Sequence, residues 1–542
     1  MKLSGAEAIL RVMADHGTDV LFGYPGAANT PLFDALYSFE KIKHILVRQE
    51  QGAAHMASGY AKATGRVGVC TATSGPGATN LITGIATAYA DSIPIIAITG
   101  QVLSSLIGKD AFQEADITGA TNPFTKHNYL VKDANQLPQI VEDAYYIAST
   151  GRPGPVVIDI PMDVQLQLID YQKPHPAKLP GYKPTYKGND LQIKRVAEAI
   201  NAAKRPVILA GGGCVNGGAY EALRSFADKT GIPVANTMMA LGVMPTDHPL
   251  CLGMLGTHGK KAANRAVHSC DTLIVIGARI GDRTINNTDV FAKRDITVIH
   301  IDIDPAEIGK NLAAGIPVVG NVRDIVEKLN GFSYSIQMDD DWKSEILAIR
   351  NTPAAFSKQD GFVNPRRVVE VVNQLTGGEA IVSTEVGQNQ IWASNQALIQ
   401  SPNLFLTSGG LGTMGFGLPA AIGAKVGCPD RTVLCFAGDG SFQMNLQEMA
   451  TMRQWGVDVK IILYNNGRLG MVREYQKNHY QGRYYGVFLD GNPDFQTLAA
   501  AYGIPAVRVS DEDKLEGALK AALEAEGSYL VEIMVDPMEP TL

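Results

Sequence analysis

The stretch "AGDGSFQMNLQEMATMRQWGVDVKIILYNNG", Ala437 to Gly467, decides the fold that this sequence predicts. It follows directly on the apolar run "TVLCF", passes through a glycine turn and a segment of helical pattern, and ends in the apolar run "KIILY" and two asparagines. Short apolar strands that alternate with helices are typical of a parallel sheet covered by helices on both faces. This part of the chain is therefore predicted to be one strand–helix–strand unit of such a sheet.

The same order of turn, helix and strand recurs near the N-terminus, in "TSGPGATNLITGIATAYADSIPIIAITG". Similar alternation along the chain predicts the α/β class, with three doubly wound parallel-sheet domains over residues 1–165, 190–335 and 363–542. The Pro-rich segment "DYQKPHPAKLPGYKPTYKGND" is predicted to be a linker, and the polar region "SYSIQMDDDWKSEILAIRNTPAAFSKQDGFVNP" a second connection.

Composition excludes several classes of function. A chain of 542 residues is too long for one core, and 45% apolar with 19% charged residues is ordinary for a globular protein. The net charge of -7 and the lack of a Lys/Arg-rich run argue against nucleic-acid binding. Six scattered cysteines, no membrane-length apolar run, and an N-terminus that resembles neither a signal nor a transit peptide predict a cytoplasmic protein without a membrane span.

One motif suggests a nicotinamide-nucleotide site. "GLGTMG", Gly410 to Gly415, fits the G-x-G-x-x-G pattern, and Asp439 follows at the end of the next predicted strand. A single match is weak in a chain with 56 glycines, and the spacing to the acid is somewhat long. We keep this interpretation as the weaker alternative.

A second interpretation joins the ends of two predicted strands. Asp439 follows "TVLCFA" and Asn466 follows "KIILY", and neighbouring parallel strands would bring both to one edge of the sheet. A carboxylate and an amide oxygen form a partial shell for Mg²⁺, which takes its other ligands from water and phosphates. Gly438 and Gly440 allow close approach, and a helix that begins near Ser441 would offer N–H groups to a diphosphate. Two unrelated turns would explain the same residues, because Asp-Gly and Asn-Gly are common turn dipeptides.

The GDG turn followed by a helix, a strand and NN resembles the thiamine-diphosphate motif. Nearly the whole chain is similar to the catalytic large subunits of acetohydroxyacid synthase (acetolactate synthase). The stretches that carry the resemblance include "FGYPG", "RQEQGAAHMASGYA", "TSGPGATN", "FQEADITGATNPFTKHN", "GRPGPVVIDIP", "GARIGDR", "HIDIDPAEIGKN", "VGQNQIW", "TSGGLGTMGFGLPAAIGA" and "NPDF".

The resemblance implies pyrimidine-binding, central flavin-holding and diphosphate-binding domains, with thiamine diphosphate, Mg²⁺ and a structural FAD as cofactors. It implies a metal site of Asp439, Asn466 and the main-chain oxygen of Arg468. Glu50 is implied to activate the cofactor through its aminopyrimidine ring, across the interface of a homodimer or homotetramer. Gln113 is implied to lie near the reacting centre. Without the resemblance, Glu50 would be read as a helix-start acid and Gln113 as a surface glutamine.

Further positions follow from the same resemblance. Other contacts to thiamine diphosphate are implied for Gly438, Gly440, Ser441, Met414 and Gln388. The substrate channel is implied to include Phe112, Met471, Val472 and Tyr475, although Met471 and Val472 would also suit helix packing. The flavin contacts implied are Arg152, Gly211, Gly212, Gly213, His258, Gly259, Arg279, Arg283 and Asp302.

The implied reaction decarboxylates pyruvate and transfers the two-carbon unit to a second 2-keto acid, pyruvate or 2-ketobutyrate, in branched-chain amino acid biosynthesis. The alternatives are a related thiamine-diphosphate carboligase or decarboxylase and a flavin-dependent pyruvate oxidase. A non-catalytic homologue is disfavoured because Glu50, Asp439 and Asn466 are all present. Feedback control would need a separate regulatory small subunit.

Five positions depart from the family pattern. Met162 stands where a lysine is usual, Thr257 replaces methionine, Gly281 replaces aspartate, Asn389 replaces histidine and Tyr475 replaces a tryptophan associated with acceptor choice. Arg283 remains and could pair with a substrate carboxylate. The departures leave the acceptor preference and the retention of FAD open.

Overall fold

The computed structural model describes residues 1–288, 291, 293–352 and 360–542. These residues form three six-stranded parallel sheets and one two-stranded antiparallel pair. The predicted α/β class with three parallel-sheet domains is therefore confirmed. Across this described part of the chain, every helix is too short or too polar to cross a membrane.

The N-terminal domain is a parallel sheet between two layers of helices. Its strands are β1 (Lys2–Ser4), β2 (Val20–Gly23), β3 (Lys43–Leu46), β4 (Gly68–Ala72), β5 (Ile95–Gln101), β6 (His127–Leu130), β7 (Val156–Pro161) and β8 (Leu168–Asp170). Its helices are α1 (Gly5–Asp15), α2 (Thr30–Tyr37), α3 (Glu50–Thr64), α4 (Pro76–Asn80), α5 (Ile82–Ala90), α6 (Ile117–Thr121), α7 (Leu137–Ser149) and α8 (Met162–Leu166). The strand order is β3-β2-β4-β5-β7-β6. Ile95 and Ala97 pack on one face and Ile96 and Ile98 on the other, so the first four residues of β5 are apolar on both faces.

The central domain repeats this arrangement. Its strands are β9 (Pro206–Ala210), β10 (Val234–Asn236), β11 (Cys251–Met254), β12 (Thr272–Ile276), β13 (Thr297–Asp302) and β14 (Ile316–Val319), in the order β11-β10-β9-β12-β13-β14. Its described helices are α9 (Asp190–Ala202), α10 (Gly212–Asn216), α11 (Tyr220–Thr230), α12 (Lys261–Ser269), α13 (Val322–Asn330) and α14 (Asp340–Arg350). Alternate residues of β12 enter two separate apolar clusters, one on each face of the sheet.

The C-terminal domain carries the stretch that decides the fold. Its strands are β15 (Ile381–Thr384), β16 (Phe405–Leu406), β17 (Val433–Gly438), β18 (Lys460–Asn465), β19 (Ala506–Val509) and β20 (Tyr529–Met534), in the order β16-β15-β17-β18-β20-β19. Its described helices are α15 (Pro365–Thr376), α16 (Gln388–Gln396), α17 (Gly417–Gly427), α18 (Asp439–Phe442), α19 (Met449–Trp455), α20 (Gly470–His479), α21 (Phe495–Ala501) and α22 (Leu515–Glu524). Strands β17 and β18 are parallel neighbours, with Gly438 opposite Tyr464.

Helix α3 of the N-terminal domain lies directly against the C-terminal domain. It packs against α17 so closely that a Cβ on Gly59 would lie 2.0 Å from the main-chain oxygen of Ala420. A Cβ on Gly423 would lie 1.9 Å from the main-chain oxygen of Met56. Because only glycine permits this contact, the two domains share one continuous apolar cluster.

The two predicted connections differ in structure. Residues 171–189 contain none of the described helices or strands, as expected of a linker. The second connection contains α14, which packs Trp342 and Ile346 against the central domain. Residues 353–359 of this connection lie outside the described residues.

Candidate active site

Asp439 and Asn466 belong to two turns that the adjacent strands β17 and β18 bring together. Asp439 is 2% exposed, and its Oδ2 accepts hydrogen bonds from the N–H of Gly467 at 2.9 Å and from Nδ2 of Asn492 at 2.7 Å. The Oδ1 of Asn466 accepts a bond from the N–H of Arg468 at 3.0 Å. The carboxylate of Asp439 is thus bound to the turn that carries Asn466, while the amide oxygen of Asn466 closes its own turn at the carboxyl edge of the sheet.

The orientation of the Asn466 amide is determined by a chain of hydrogen bonds. Nε2 of Gln388 donates to the main-chain oxygen of Glu539 at 2.8 Å, so Oε1 of Gln388 faces away from that oxygen. This Oε1 accepts from Nδ2 of Asn466 at 3.0 Å. A carbonyl oxygen can only accept, so the amide assignments follow from one another. The Oδ1 of Asn466 is consequently directed away from Gln388 and is available to a cation.

A small cavity of about 90 Å³ opens at these turns. It brings together several predicted cofactor and channel positions, and all its described lining residues come from the C-terminal domain. The predicted residues that line it are Gln388, Met414, Gly438, Asp439, Gly440, Ser441, Asn466, Met471 and Val472. Asn389, one of the departures from the family pattern, also lines it and donates to the main-chain oxygens of Glu385 and Phe436.

The donor set at this cavity fits Mg²⁺ when phosphate or water completes the shell. Burial raises the pKa of Asp439 to about 6, while the bonds from Asn492 and Gly467 lower it. Among the described residues there is no group of three or more His, Cys, Asp or Glu side chains that could hold a metal. A cation here would be bound by one carboxylate and by neutral oxygens, and would need phosphate or water for its other positions, which is usual for Mg²⁺.

Glu50 and Gln113 lie against a second surface, in the N-terminal domain. Glu50 is the first residue of α3, and its Oε2 accepts a bond from Nδ2 of Asn80 at 3.0 Å. Gln113 has φ of 59°, and its main-chain oxygen lies 2.6 Å from where a Cβ of Gly75 would be. Both residues therefore contact the loop 73–77 or its flanks. Left-handed backbone at a non-glycine residue is often associated with function. Neither residue is among those lining the Asp439 cavity within the described chain.

A larger cavity of about 640 Å³ lies where the three domains meet. Its volume suits a ligand of drug size or somewhat larger. The predicted flavin residues that line it are Arg152, Gly212, Gly213, His258, Arg279, Arg283 and Asp302. Val386 and Met471 line this cavity as well as the smaller one, so the two cavities adjoin.

The predicted flavin residues are partly explained by contacts within the protein. Arg152 Nη1 donates to Oε1 of Glu307 at 2.8 Å, and burial raises the pKa of Asp302 to about 6. Gly211 and Gly259 are not among the described lining residues. A Cβ on Gly211 would lie 2.1 Å from the main-chain oxygen of Gly277, and one on Gly259 would lie 2.3 Å from that of Met254. These two glycines are therefore needed for packing.

Of the remaining departures and channel positions, Gly281 alone is among the described lining residues of the two cavities. Tyr475 is 57% exposed and contacts His479, with ring centroids 4.4 Å apart, and Phe112 is 88% exposed. A Cβ on Gly281 would meet nothing within 4 Å, so the aspartate usual at this position would fit. The N–H of Thr257 bonds the main-chain oxygen of Arg283 at 3.0 Å, and Met162 begins α8.

Sequence reasoning assigned no role to three residues that the structure places at the site. Asn80 binds Glu50, Asn492 binds Asp439, and Glu448 binds the main chain just before Glu50. Asn80 and Asn492 lie inside stretches that resemble the family, "TSGPGATN" and "NPDF", which was the only signal available for them. Glu448 had no signal beyond its place in the helical segment after GDG.

Three family models match this chain. They describe the N-terminal TPP binding domain of thiamine pyrophosphate enzymes over residues 3–120, the central domain over 193–329 and the C-terminal TPP binding domain over 385–533. The third of these models covers every described residue that lines the cavity at the Asp439 turn. The chain therefore has the three domains of a thiamine pyrophosphate enzyme.

Comparison with similar proteins identifies one family within this class. A protein of Methanocaldococcus jannaschii described as a probable acetolactate synthase large subunit is 48% identical over 99% of this chain and 93% of the relative. Acetolactate synthase large subunits of Corynebacterium glutamicum and Haemophilus influenzae are 46% and 44% identical, over 96% and 99% of this chain and 85% and 95% of the relatives. The chain belongs to the acetolactate synthase large-subunit family.

Proposed function

We propose that this chain is the catalytic subunit of an acetolactate synthase. It removes CO₂ from pyruvate and transfers the remaining two-carbon unit to a second 2-keto acid, pyruvate or 2-ketobutyrate, in branched-chain amino acid biosynthesis. The proposal is carried by the Asp439–Asn466 cavity in a chain that is 44–48% identical to acetolactate synthase large subunits over nearly its whole length.

The diphosphate end of the cofactor would be held at the smaller cavity. Asp439, the amide oxygen of Asn466 and the main-chain oxygen of Arg468 would bind Mg²⁺, and the main-chain N–H groups around Gly438–Ser441 would face the phosphates. The orientation of Asn466 through Gln388 supports this assignment, because it leaves the amide oxygen free of the Gln388 contact.

Bound thiamine diphosphate supplies the carbon nucleophile and the electron sink for loss of CO₂. Glu50 would hold a proton at the aminopyrimidine ring nitrogen. The bond from Asn80 fixes one oxygen of the Glu50 carboxylate and leaves the other for this task. Gln113, on strained backbone beside the same loop, would donate or accept hydrogen bonds at the reacting carbonyl.

We propose that the working site needs two copies of this chain. Glu50 and Asp439 lie on different surfaces, and the small cavity has no described lining residue from the N-terminal domain. A second copy would bring its Glu50 surface to the Asp439 cavity, in a homodimer or homotetramer. The name "large subunit" of the relatives also supports a separate regulatory small subunit. A cytoplasmic location stays a prediction.

We further propose that the larger cavity holds FAD in a structural role. Its volume and the cluster of Arg152, Arg279 and Arg283 suit a large anionic ligand. Acetolactate formation transfers no net electrons, so a flavin would stabilise the junction of the three domains. Arg283, with its side chain 75% exposed at this cavity, could also pair with a substrate carboxylate.

Product analysis tests the proposed function. Purified protein is incubated with thiamine diphosphate and Mg²⁺, with pyruvate alone or with added 2-ketobutyrate, and with or without FAD. Release of CO₂ with formation of a 2-hydroxy-2-methyl-3-keto acid is expected. Oxygen uptake that follows pyruvate consumption would instead support a pyruvate oxidase, and CO₂ release with free acetaldehyde would support a decarboxylase.

A further inference from the structure

Glu448 is a buried carboxylate at the contact between the C-terminal domain and the start of helix α3. It is 0% exposed, and its Oε1 accepts bonds from the N–H groups of Arg48 at 3.1 Å and Gln49 at 3.0 Å. Its Oε2 accepts from Oγ1 of Thr451 at 2.6 Å. Burial raises the pKa of Glu448 to about 7, and these bonds oppose that rise. Burying a carboxylate here therefore costs desolvation free energy, which the three hydrogen bonds partly offset.

The residues next to Glu448 leave just enough space for its carboxylate. A Cβ on Gly52 would lie 2.7 Å from Oε1 of Glu448, so a side chain at position 52 would displace it. Nε1 of Trp455 donates to the main-chain oxygen of Leu46 at 3.4 Å, and Oγ1 of Thr451 lies 3.4 Å from the same oxygen. With Oε1 of Gln454, which accepts from Nη2 of Arg48 at 2.7 Å, four side chains of the segment 448–455 thus contact the segment 46–49.

The residues that Glu448 holds come immediately before Glu50. Gln49 is the N-cap of α3, and its side chain accepts a bond from the N–H of Gly52 at 3.3 Å. The direction of a helix and of its first side chain is set by the backbone at the cap. A negative charge at this end of the helix is also favoured by the helix dipole. Any shift of the cap would move the carboxylate of Glu50 relative to Asn80.

We propose that Glu448 is a positioning residue for the reaction, which fixes the backbone of Arg48 and Gln49 so that the carboxylate of Glu50 meets the aminopyrimidine ring in one orientation. This inference rests on the proposed role of Glu50. Glu448 acts through the main chain and touches neither substrate nor cofactor. Its effect is on removal of the proton from the reactive carbon of the cofactor, because Glu50 promotes that step.

The test compares E448Q with E7Q in the full-length protein. Glu7 is a control for the loss of a carboxylate bond to the main chain at a helix start, because its Oε2 accepts the N–H of Ser4 at 2.6 Å; unlike Glu448, it is exposed and lies far from α3 in the chain. The main measurement is the rate at which the C2 proton of bound thiamine diphosphate exchanges with solvent deuterium, followed by acid quench and NMR. Amide hydrogen exchange over residues 46–52 is measured without cofactor.

For E448Q we expect faster amide exchange at residues 46–52 and a C2 exchange rate and kcat lower by about 10-fold or more, since small displacements at reacting groups are costly. The KM for pyruvate and the affinity for thiamine diphosphate should change by less than about twofold. E7Q should match wild type in every measurement. A wild-type C2 exchange rate in E448Q would overturn the inference, and so would a parallel loss of cofactor affinity and kcat, which marks a purely structural role.

Two further variants keep the inference testable. If E448Q does not fold, T451V removes one bond to Oε2, and the C2 exchange rate should fall by about threefold with unchanged cofactor affinity. An unchanged rate in T451V would then overturn the inference. E50Q separates the two claims. Wild-type C2 exchange in E50Q would refute the proposed role of Glu50 itself, whereas a slow E50Q with a normal E448Q would refute only the role of Glu448.

Discussion

Replacing Gln388 with methionine should weaken Mg²⁺ binding without touching a metal ligand. Methionine has similar length but cannot accept the bond from Nδ2 of Asn466 or donate to the main-chain oxygen of Glu539. Both bonds bear on the metal, because the bond to Glu539 orients Oε1 of Gln388 and this oxygen in turn directs the Oδ1 of Asn466 away from Gln388. A buried hydrogen bond contributes about 1 kcal/mol, and partners behind a metal ligand usually contribute 10–100-fold in affinity. We therefore expect Mg²⁺ affinity to fall by about tenfold.

The measurement is calorimetric titration of Mg²⁺ into protein saturated with thiamine diphosphate. Gln390→Met is the matched control, since Gln390 lies on the same helix, is also buried and bonds Thr407 and Ser408 instead. Its Mg²⁺ affinity should stay within about twofold of wild type. Gly470→Ala should reproduce the defect, because its Cβ would lie 1.8 Å from Oε1 of Gln388. Wild-type Mg²⁺ affinity in both Gln388→Met and Gly470→Ala would refute the orienting role of this bond.

Three other variants test separate features. Glu50→Gln should lower kcat by about 100-fold or more while thiamine diphosphate still binds, and near-normal turnover would contradict its assigned role. Tyr475→Trp should raise the preference for 2-ketobutyrate over pyruvate by roughly fivefold, and an unchanged product ratio in competition would remove Tyr475 as a selector. Burial raises the pKa of Asp159 from 3.8 to about 7, so the native state keeps this proton to higher pH than the unfolded chain and loses stability as pH rises through that range. The Tm of Asp159→Asn relative to wild type should therefore increase between pH 5 and pH 8 in thermal scans, and a constant difference would show that this carboxyl does not titrate there.

The sequence predicted those strands whose apolar runs are long and end in turn residues. Short strands such as β10 (Val234–Asn236) and β16 (Phe405–Leu406) escaped because two or three residues carry no periodic pattern. Helix α14 escaped because its apolar residues, Trp342 and Ile346, stand among acidic and polar ones. The polar composition of this segment therefore predicted a connection, although its two apolar residues form one face of a helix.

In the candidate site, a contact between consecutive strands could be predicted from the sequence, whereas a contact between domains could not. Asp439 and Asn466 could be expected to meet, because each ends a strand and the two strands follow one another in the chain. The bond between Glu448 and the main chain at Arg48 joins different domains, and no local pattern predicts such a pair. The strained backbone of Gln113 is likewise invisible in a sequence, since φ depends on the loop that packs against it.

The cluster shared by the N-terminal and C-terminal domains has a consequence for how the chain is made. Its buried members come from residues 20–157 and 363–535, with Leu241 from the central domain, whereas the central sheet has apolar clusters of its own. During synthesis the N-terminal half of the cluster leaves the ribosome long before the half that covers it. The central domain can fold first, while the face of α3 that carries small residues is still uncovered. This protein therefore completes its core only when translation is nearly finished, and until then that face is open to chaperones and to aggregation.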